Sequence, residues 1–385
     1  MNKRMYILSQ LFSEGKGSFI GFVEDFAKYA STKGYSVTII AQKSSNNEHT
    51  HEQLSYAKVY RILKFDTPIF STFFQTIYYA FKTRTYLSKE KITSHDTLLA
   101  NGFTPLGIID KKYVVRAPDQ PALTILKKFR LSNTQETYRR KIARFIHFII
   151  LYPIDFLIMK NATGTIFSSH ANRLENIHWY TITEKPYIIP NKGVREQYYT
   201  IKKKSSDKKS INILFISSNT ERLRKGADTL ERILPYIFEK YPHVHLLHIG
   251  GTFKWNVPTK YSKRITSISQ VNNTLMKKYY AMTDIFILSS ICEGIPAALL
   301  EAMASETTIL SSDMEGIEEY ITHKKEGYIF TRGNSEKLKK GMCTLLDNPK
   351  LREQYAHAAR KKAEKFSNKH YLPRLLRFME RIEIQ

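Results

Sequence analysis

The segment Tyr279–Phe330, reading YYAMTDIFILSSICEGIPAALLEAMASETTILSSDMEGIEEYITHKKEGYIF, constrains the chain more than any other. Its short apolar run, Ile285 to Leu288, has the unbroken hydrophobicity of a strand buried on both faces of a parallel sheet. The turn Ser289-Ser290-Ile291-Cys292-Glu293-Gly294 follows, and Pro296 suits the first position of the Ala/Leu-rich helix after it. A strand, a tight loop and a helix start imply an open α/β layer, with free backbone N–H groups that favour a phosphate at the loop. Glu293 falls in that loop. Glu301, separated from it by the seven residues GIPAALL, falls about two turns further on and on roughly the same side. One carboxylate would reach a ligand near the loop and the other a hydroxyl deeper in the site. By spacing alone, such a pair also arises by chance on any charged helix.

The chain opens in the same style. Met5–Phe12 reads as a strand, Phe19–Lys33 as a helix capped by Gly34, and Ser36–Ala41 as a second strand, the βαβ start of a doubly wound parallel sheet. The loop between them carries Gly15, Lys16, Gly17 and later Gly21, one residue too long for the dinucleotide fingerprint. Gln42 and Lys43 stand where an acid would bind a ribose, so NAD is not expected. Asn46–Glu52 reads as a polar loop, and the aromatic run Phe65–Tyr86 as core rather than a base-stacking surface. Leu98–Asn101, Tyr113–Arg116 and Thr165–Ser169 read as further strands. Arg116 and Asp119 fall at a strand's carboxyl edge, where open sheets place ligands. Ile201–Ser210, IKKKSSDKKS, has no apolar periodicity and reads as a linker. Beyond it come strands at Ile211, Val244–Ile249 and Ile265–Ile268, a helix Ala227–Lys240, and closing helices Glu336–Leu346, Leu351–Lys365 and His370–Ile384. Gly250, after the second of those strands, lets ligand or backbone come close.

Charge narrows the partners. The chain has 60 Lys plus Arg against 35 Asp plus Glu, a formal net charge of +25 over 385 residues. That balance attracts a polyanion, whether nucleic acid, an anionic membrane or an acidic glycan. Lys127, Lys128, Arg130, Arg139, Arg140, Lys141 and Arg144 interleave with aromatics along Leu126–Lys160. Read as an amphipathic helix, this stretch suits peripheral contact with anionic lipid; a solvated charged face is the alternative. Cys292 and Cys343 are the only cysteines, which excludes a disulfide framework and a cysteine zinc site and fits a reducing cytosol. No signal peptide is expected at the start, and the longest apolar run, Phe145–Ile158, is too short to span a bilayer.

Several pieces in fixed order, Asp284, Glu293-Gly294, Glu301-Ala302-Met303-Ala304, Ile309-Leu310 and Gly316-Ile317-Glu318-Glu319, resemble the C-terminal signature of retaining glycosyltransferases of the family four type. Weaker likenesses lie at residues 5–41 and at Ile188–Val194, a P-N-G-V turn with Lys192 inserted. The resemblance implies a GT-B fold: two Rossmann-like doubly wound parallel-sheet domains facing a cleft. The expected division is 1–200 for the acceptor domain, 201–210 for the linker and 211–365 for the nucleotide-sugar domain. A terminal helix, 366–385, would pack back on the first domain.

By the same resemblance Glu293 would contact the donor sugar and Glu301 the ribose of the nucleotide. Lys225, in Arg224-Lys225-Gly226, would grip the diphosphate together with Arg222 or Arg224 in place of an arginine missing at Ser218/Asn219. The N–H groups of Gly294 and Ile295 would assist. Gly15, Lys16 and Gly17 would face donor phosphate or acceptor, unless that loop is a simple tight turn. Pro118 stands where relatives carry a histidine, leaving Asp119 or Arg116 on the acceptor side. Ser305-Glu306-Thr307 replaces the usual small residue and glycine. No D-x-D occurs, so neither a metal nor any other cofactor is expected beyond the nucleotide-sugar substrate. The implied activity is transfer of a sugar to a glycan or lipid-phosphate acceptor in surface polysaccharide or glycoconjugate synthesis, at the inner face of the membrane and without nucleic acid. A non-catalytic glycosyltransferase-like subunit and a polyanion-binding protein are the competing readings.

Overall fold

The computed structural model describes residues 3–12, 18–43, 48–63, 71–101, 104–117, 152–180, 185–189, 193–201, 210–219, 221–291, 293 and 296–384. The chain divides into two units, Met1–Asn191 with Tyr371–Gln385, and Lys192–His370.

The first unit is built on an eight-stranded sheet: β1 (Arg4–Leu11), β2 (Ser36–Gln42), β3 (His51–Gln53), β4 (Lys58–Ile62), β5 (Thr97–Asn101), β6 (Val114–Arg116), β7 (Gly164–Ile166) and β8 (Tyr187–Ile188). Their spatial order is β3-β4-β2-β1-β5-β6-β7-β8. All pairings are parallel except β3 with β4. Alternation along β1 divides its side chains between two cores. Met5 and Ile7 join helix Ser18–Thr32 and the terminal helix Asn368–Ile384, through Tyr371, Leu375 and Met379. Tyr6 and Leu8 face the core of helix Ser71–Lys89, with Tyr79 and Leu87. A sheet covered on both faces needs near-continuous apolar strands, which is why these segments were readable. At β7 the terminal helix comes so close that a Cβ on Gly164 would lie 2.1 Å from Ile382 Cδ1.

The expected polar loop 46–52 is corrected in part, because His51–Gln53 forms the antiparallel edge strand β3. All three residues are exposed, so the strand buries no face and leaves no hydrophobic signature.

The second unit carries six parallel strands: β9 (Ile211–Ile216), β10 (Val244–Ile249), β11 (Ile265–Ile268), β12 (Ile285–Leu288), β13 (Thr308–Ser312) and β14 (Tyr328–Phe330). Their order is β11-β10-β9-β12-β13-β14. The chain winds outward from β9 to one edge, then returns to β12 and winds to the other. That reversal puts a topological switch point between β9 and β12, the place where open α/β sheets bind ligands beyond the strands' carboxyl ends. Leu214 and Phe286 point into one core; Ile213, Phe215, Ile285 and Ile287 point into the other.

Two boundaries differ from expectation. The single helix expected over 227–240 is two, Ala227–Glu231 and Leu234–Lys240. Pro235 has no N–H to give the Glu231 carbonyl, and its ring crowds that oxygen. The first unit ends at Asn191 rather than near 200. Val194 pairs with Phe366 and Asn368 through backbone hydrogen bonds of 2.7 and 2.9 Å, and Tyr198 is buried in the second unit's core. Short-range sequence does not show such a distant pairing. Residues 202–209 of the expected linker lie outside the described residues, as does most of the basic stretch 126–160, where 152–160 are helical.

Candidate functional site

The loops after β9 and β12 meet at the second unit's switch point, held together by backbone and hydroxyl groups. Ser289, fully buried, donates from Oγ to the carbonyls of Lys225 and Gly226 at 2.9 and 3.0 Å. The N–H of Ile291 donates to the Arg224 carbonyl at 2.9 Å. Ser312 on β13 donates to the Ser290 carbonyl at 2.6 Å. Gly226 makes the crossing possible, since it has φ +67° and a Cβ there would lie 2.0 Å from the Ser289 carbonyl oxygen. Only glycine satisfies both conditions.

This stitching brings Lys225, Arg224 and Glu293 to one point. Lys225 Nζ lies 2.6 Å from Glu293 Oε1, and Arg224 Nη1 lies 3.0 Å from Oε2. Ser290 Oγ donates to Oε1 at 2.7 Å. Arg224 also pairs with Glu221. The Glu293 side chain is only 7% exposed, and the two cations about a fifth. Burial pushes the Glu293 carboxyl up, but Lys225 and then Arg224 outweigh it and hold the group down at about 2. The carboxylate is therefore ionised at every physiological pH. A cluster of two cations around one buried anion, open to solvent on the cations' side, is equipped to bind a further anion, such as a diphosphate.

Arg222 lies elsewhere. It makes a two-pronged hydrogen bond to Glu231, both contacts 2.9 Å, and stacks over Phe253 at 4.8 Å. Of the two arginines left open by the sequence, Arg224 is the one beside Lys225. Gly250, with φ +103°, lets the end of β10 approach the carbonyl of Ser217 after β9, where a Cβ would sit at 3.1 Å. Gly294 and Ile295 lie outside the described residues, so their N–H groups are not placed. Helix Ala297–Ala304 starts one residue later than expected, with Pro296 at its N-cap (φ −76°, ψ 83°) rather than at its first position.

Glu301, on that helix, is held by groups the sequence reading passed over. Tyr280 Oη donates to Glu301 Oε2 at 3.0 Å, and Tyr198 packs edge-on against Tyr280 with ring centroids 5.5 Å apart. Neither tyrosine belongs to a motif that the sequence singles out; Tyr198 lies in the polar stretch Arg195-Glu196-Gln197-Tyr198-Tyr199-Thr200. The available signal was chemical: a buried phenol needs a partner for its O–H. His248 was missed in the same way. It is fully buried between the Ser217 carbonyl (3.0 Å) and Ser267 Oγ (3.3 Å), and burial lowers its pKa.

In the first unit, the carboxyl ends of β1, β5 and β6 carry a buried polar chain. Arg116 donates to Asn101 Oδ1, and Asn101 donates to Ser9 Oγ, each at 3.3 Å. The Arg116 guanidinium covers the Phe22 ring at 4.8 Å. Asp119, Pro118, Gly15, Lys16 and Gly17 lie outside the described residues. Among the described residues no cluster of His, Cys, Asp and Glu has the arrangement to hold a metal ion, and no helix is long and apolar enough to cross a membrane.

Residues 199–362 match the family described as glycosyl transferases group 1. An uncharacterized glycosyltransferase of Haemophilus influenzae is 27% identical over 147 residues, which is 37% of this chain and 42% of that protein. The chain spans between 26% and 55% of the length of the curated relatives it matches. Sucrose-phosphate synthase from Thermosynechococcus elongatus has a TM-score of 0.79 at 14% identity, covering 99% of both chains. The Anabaena protein Alr3699/HepE, solved in complex with UDP and glucose, has a TM-score of 0.69 at 14% identity over 98% of this chain and 99% of that one. At these identities the likeness is one of fold, and it extends along the whole chain: both units together form the GT-B fold.

Proposed function

We propose, from the match of residues 199–362 to the glycosyl transferases group 1 family, that the protein transfers a sugar from a nucleoside-diphosphate donor to a glycan or lipid-linked acceptor, with retention of anomeric configuration. The observation that carries the reading is the convergence of Lys225 and Arg224 on Glu293 at the second unit's switch point. The UDP-bound Anabaena structure of the same fold supports a nucleotide as the group that binds.

Departure of a nucleoside diphosphate leaves negative charge on the leaving oxygens and positive character at the anomeric carbon. Preorganised cations stabilise the first of these. Lys225 and Arg224 take the diphosphate, which replaces Glu293 as their counter-anion. Glu293 is thereby turned toward the donor sugar as an ionised acceptor for its hydroxyls, and Glu301 accepts from the ribose. No residue of the chain needs to bring a metal, because the two cations already supply the charge; the absence of a D-x-D sequence fits this assignment. We place the acceptor on the first unit. The net charge of +25 fits an anionic acceptor or membrane leaflet at the cytoplasmic face, in the synthesis of a surface polysaccharide or glycolipid.

The test is transfer from a panel of α-linked nucleotide sugars, followed by proton NMR of the product's anomeric signal. The reading expects an α-linked product from one donor and none from Lys225→Ala. A β-linked product would remove the retaining assignment. Turnover in Lys225→Ala equal to the parent's would remove the site.

A further inference from the structure

We propose that Tyr280, backed by Tyr198, is the positioning residue that aims the Glu301 carboxylate at the nucleotide's ribose; this rests on the reading of Glu301 given above. Glu301 sits at the fifth position of helix Ala297–Ala304, where a glutamate side chain has several rotamers open to it. Tyr280, fully buried on helix Asn273–Met282, reaches across with its hydroxyl 3.0 Å from Glu301 Oε2 and 3.2 Å from the Ala298 carbonyl. A phenol has one proton to give, and the charged, nearer oxygen is the stronger acceptor.

Tyr198 approaches from a different part of the chain, the short helix Glu196–Tyr199, and meets Tyr280 edge to face at 90°. Burial first, and then the charge of Glu301, raise the pKa of both phenols, so each remains a donor at any working pH. A buried donor on one carboxylate oxygen, with a second phenol packed behind it, restricts the rotamers open to Glu301. A carboxylate already ordered before binding loses no rotamer freedom when a ribose diol arrives. Core packing alone does not account for the arrangement. A phenylalanine at 280 would fill nearly the same volume without presenting a hydroxyl to the carboxylate.

The test is calorimetric titration of the full chain with UDP, GDP, ADP and CDP, each against its counterpart lacking both ribose hydroxyls. The tightest binder supplies a discrimination ratio. The parent protein is expected to favour the ribonucleotide by at least about tenfold, the scale of a hydrogen bond to a charged group. Glu301→Ala is expected to bring the ratio near one. Tyr280→Phe is expected to lower it at least about threefold, and Tyr198→Phe to act in the same direction but less.

Loss of discrimination in Glu301→Ala with a parental ratio in Tyr280→Phe overturns the positioning role. So does a Tyr280→Phe protein that binds both nucleotides equally weakly at an unchanged ratio, since that is the mark of a structural residue. If Glu301→Ala itself keeps the ratio, it is the ribose assignment of Glu301 that falls. If none of the four nucleotides binds the parent, the donor-site reading falls and takes this one with it. Should Tyr280→Phe not fold, the ratio in Tyr198→Phe decides.

Discussion

Lys225 Nζ lies 2.6 Å from Glu293 Oε1, so the cation proposed to take a diphosphate is paired with the chain's own carboxylate. The pairing keeps an otherwise costly buried charge in place, and the same cations are what a donor would displace it from.

The first expectation concerns pH. The folded-state pKa of Glu293, about 2, lies below the ordinary carboxyl value of 4.5. A depressed carboxylate adds stability that is complete above the unfolded value and is lost as pH falls through the folded one. Glu293→Gln leaves Lys225 and Arg224 facing each other and is expected to cost roughly 2–3 kcal/mol at neutral pH, below the usual figure for a broken buried pair because both cations retain solvent. The gap between parent and variant in urea unfolding is expected to narrow as pH falls from about 5 toward 3. A gap that stays constant over that range would show that Glu293 is not held ionised by its partners.

The two arginines separate by position. Arg224 shares Glu293 with Lys225, whereas Arg222 is bound to Glu231. Arg224→Gln is expected to weaken nucleoside-diphosphate binding by roughly 10- to 100-fold, as loss of a charge-assisted contact does. Arg222→Gln is expected to change it by less than about threefold. Calorimetry on both variants checks this, and the reverse order would move the diphosphate to the Glu231 side of the loop.

A pair of glycines isolates the role of the loop crossing. Gly226 and Gly333 have similar positive φ values, +67° and +71°, but a Cβ meets the Ser289 carbonyl at 2.0 Å in the first and nothing within 4 Å in the second. Gly333→Ala is expected to cost about 1 kcal/mol, from backbone strain alone. Gly226→Ala adds a clash that only separation of the two loops relieves, and is expected to cost at least about 3 kcal/mol and to abolish nucleotide binding. Chemical denaturation gives both numbers. Equal costs would show that the crossing does not matter.

Glu306 offers the opposite case, a stabilising change. Helix Ala297–Ala304 ends with Glu306 N–H donating to the Met303 carbonyl and Thr307 N–H to the Ala302 carbonyl, and Glu306 has φ +56°. That is a Schellman ending with a side chain at the position that favours glycine. Glu306→Gly is expected to raise stability by about 1 kcal/mol, read as a higher melting temperature. A lower one would mean that the Glu306–His357 contact of 3.4 Å outweighs the strain.

What could be read from the sequence depended on which signal each residue leaves. The strand Ile285–Leu288 was legible to the residue because burial on both faces demands an apolar run. The edge strand His51–Gln53 was not, because it buries nothing. Lys225 and Glu293 were legible through the resemblance of their surrounding motifs to a known family, yet their mutual contact was not, since it depends on the switch point bringing two distant loops together. The choice between Arg222 and Arg224 needed the same information. Tyr280 and Tyr198 were hidden because their meeting with Glu301 and with each other joins segments far apart in the chain. The early end of the first unit, before Val194, rests on a pairing with Phe366 that no local pattern announces.

The central claim is that the Lys225–Arg224–Glu293 cluster is a nucleoside-diphosphate site, and the most direct test is a thermal-shift titration with UDP, GDP, ADP and CDP on the parent and Lys225→Ala. A ligand that binds only the folded chain raises its melting temperature with concentration. A saturable rise is expected with at least one of the four, and it is expected to be lost in Lys225→Ala. No rise with any of them, or the same rise in both proteins, would contradict the claim.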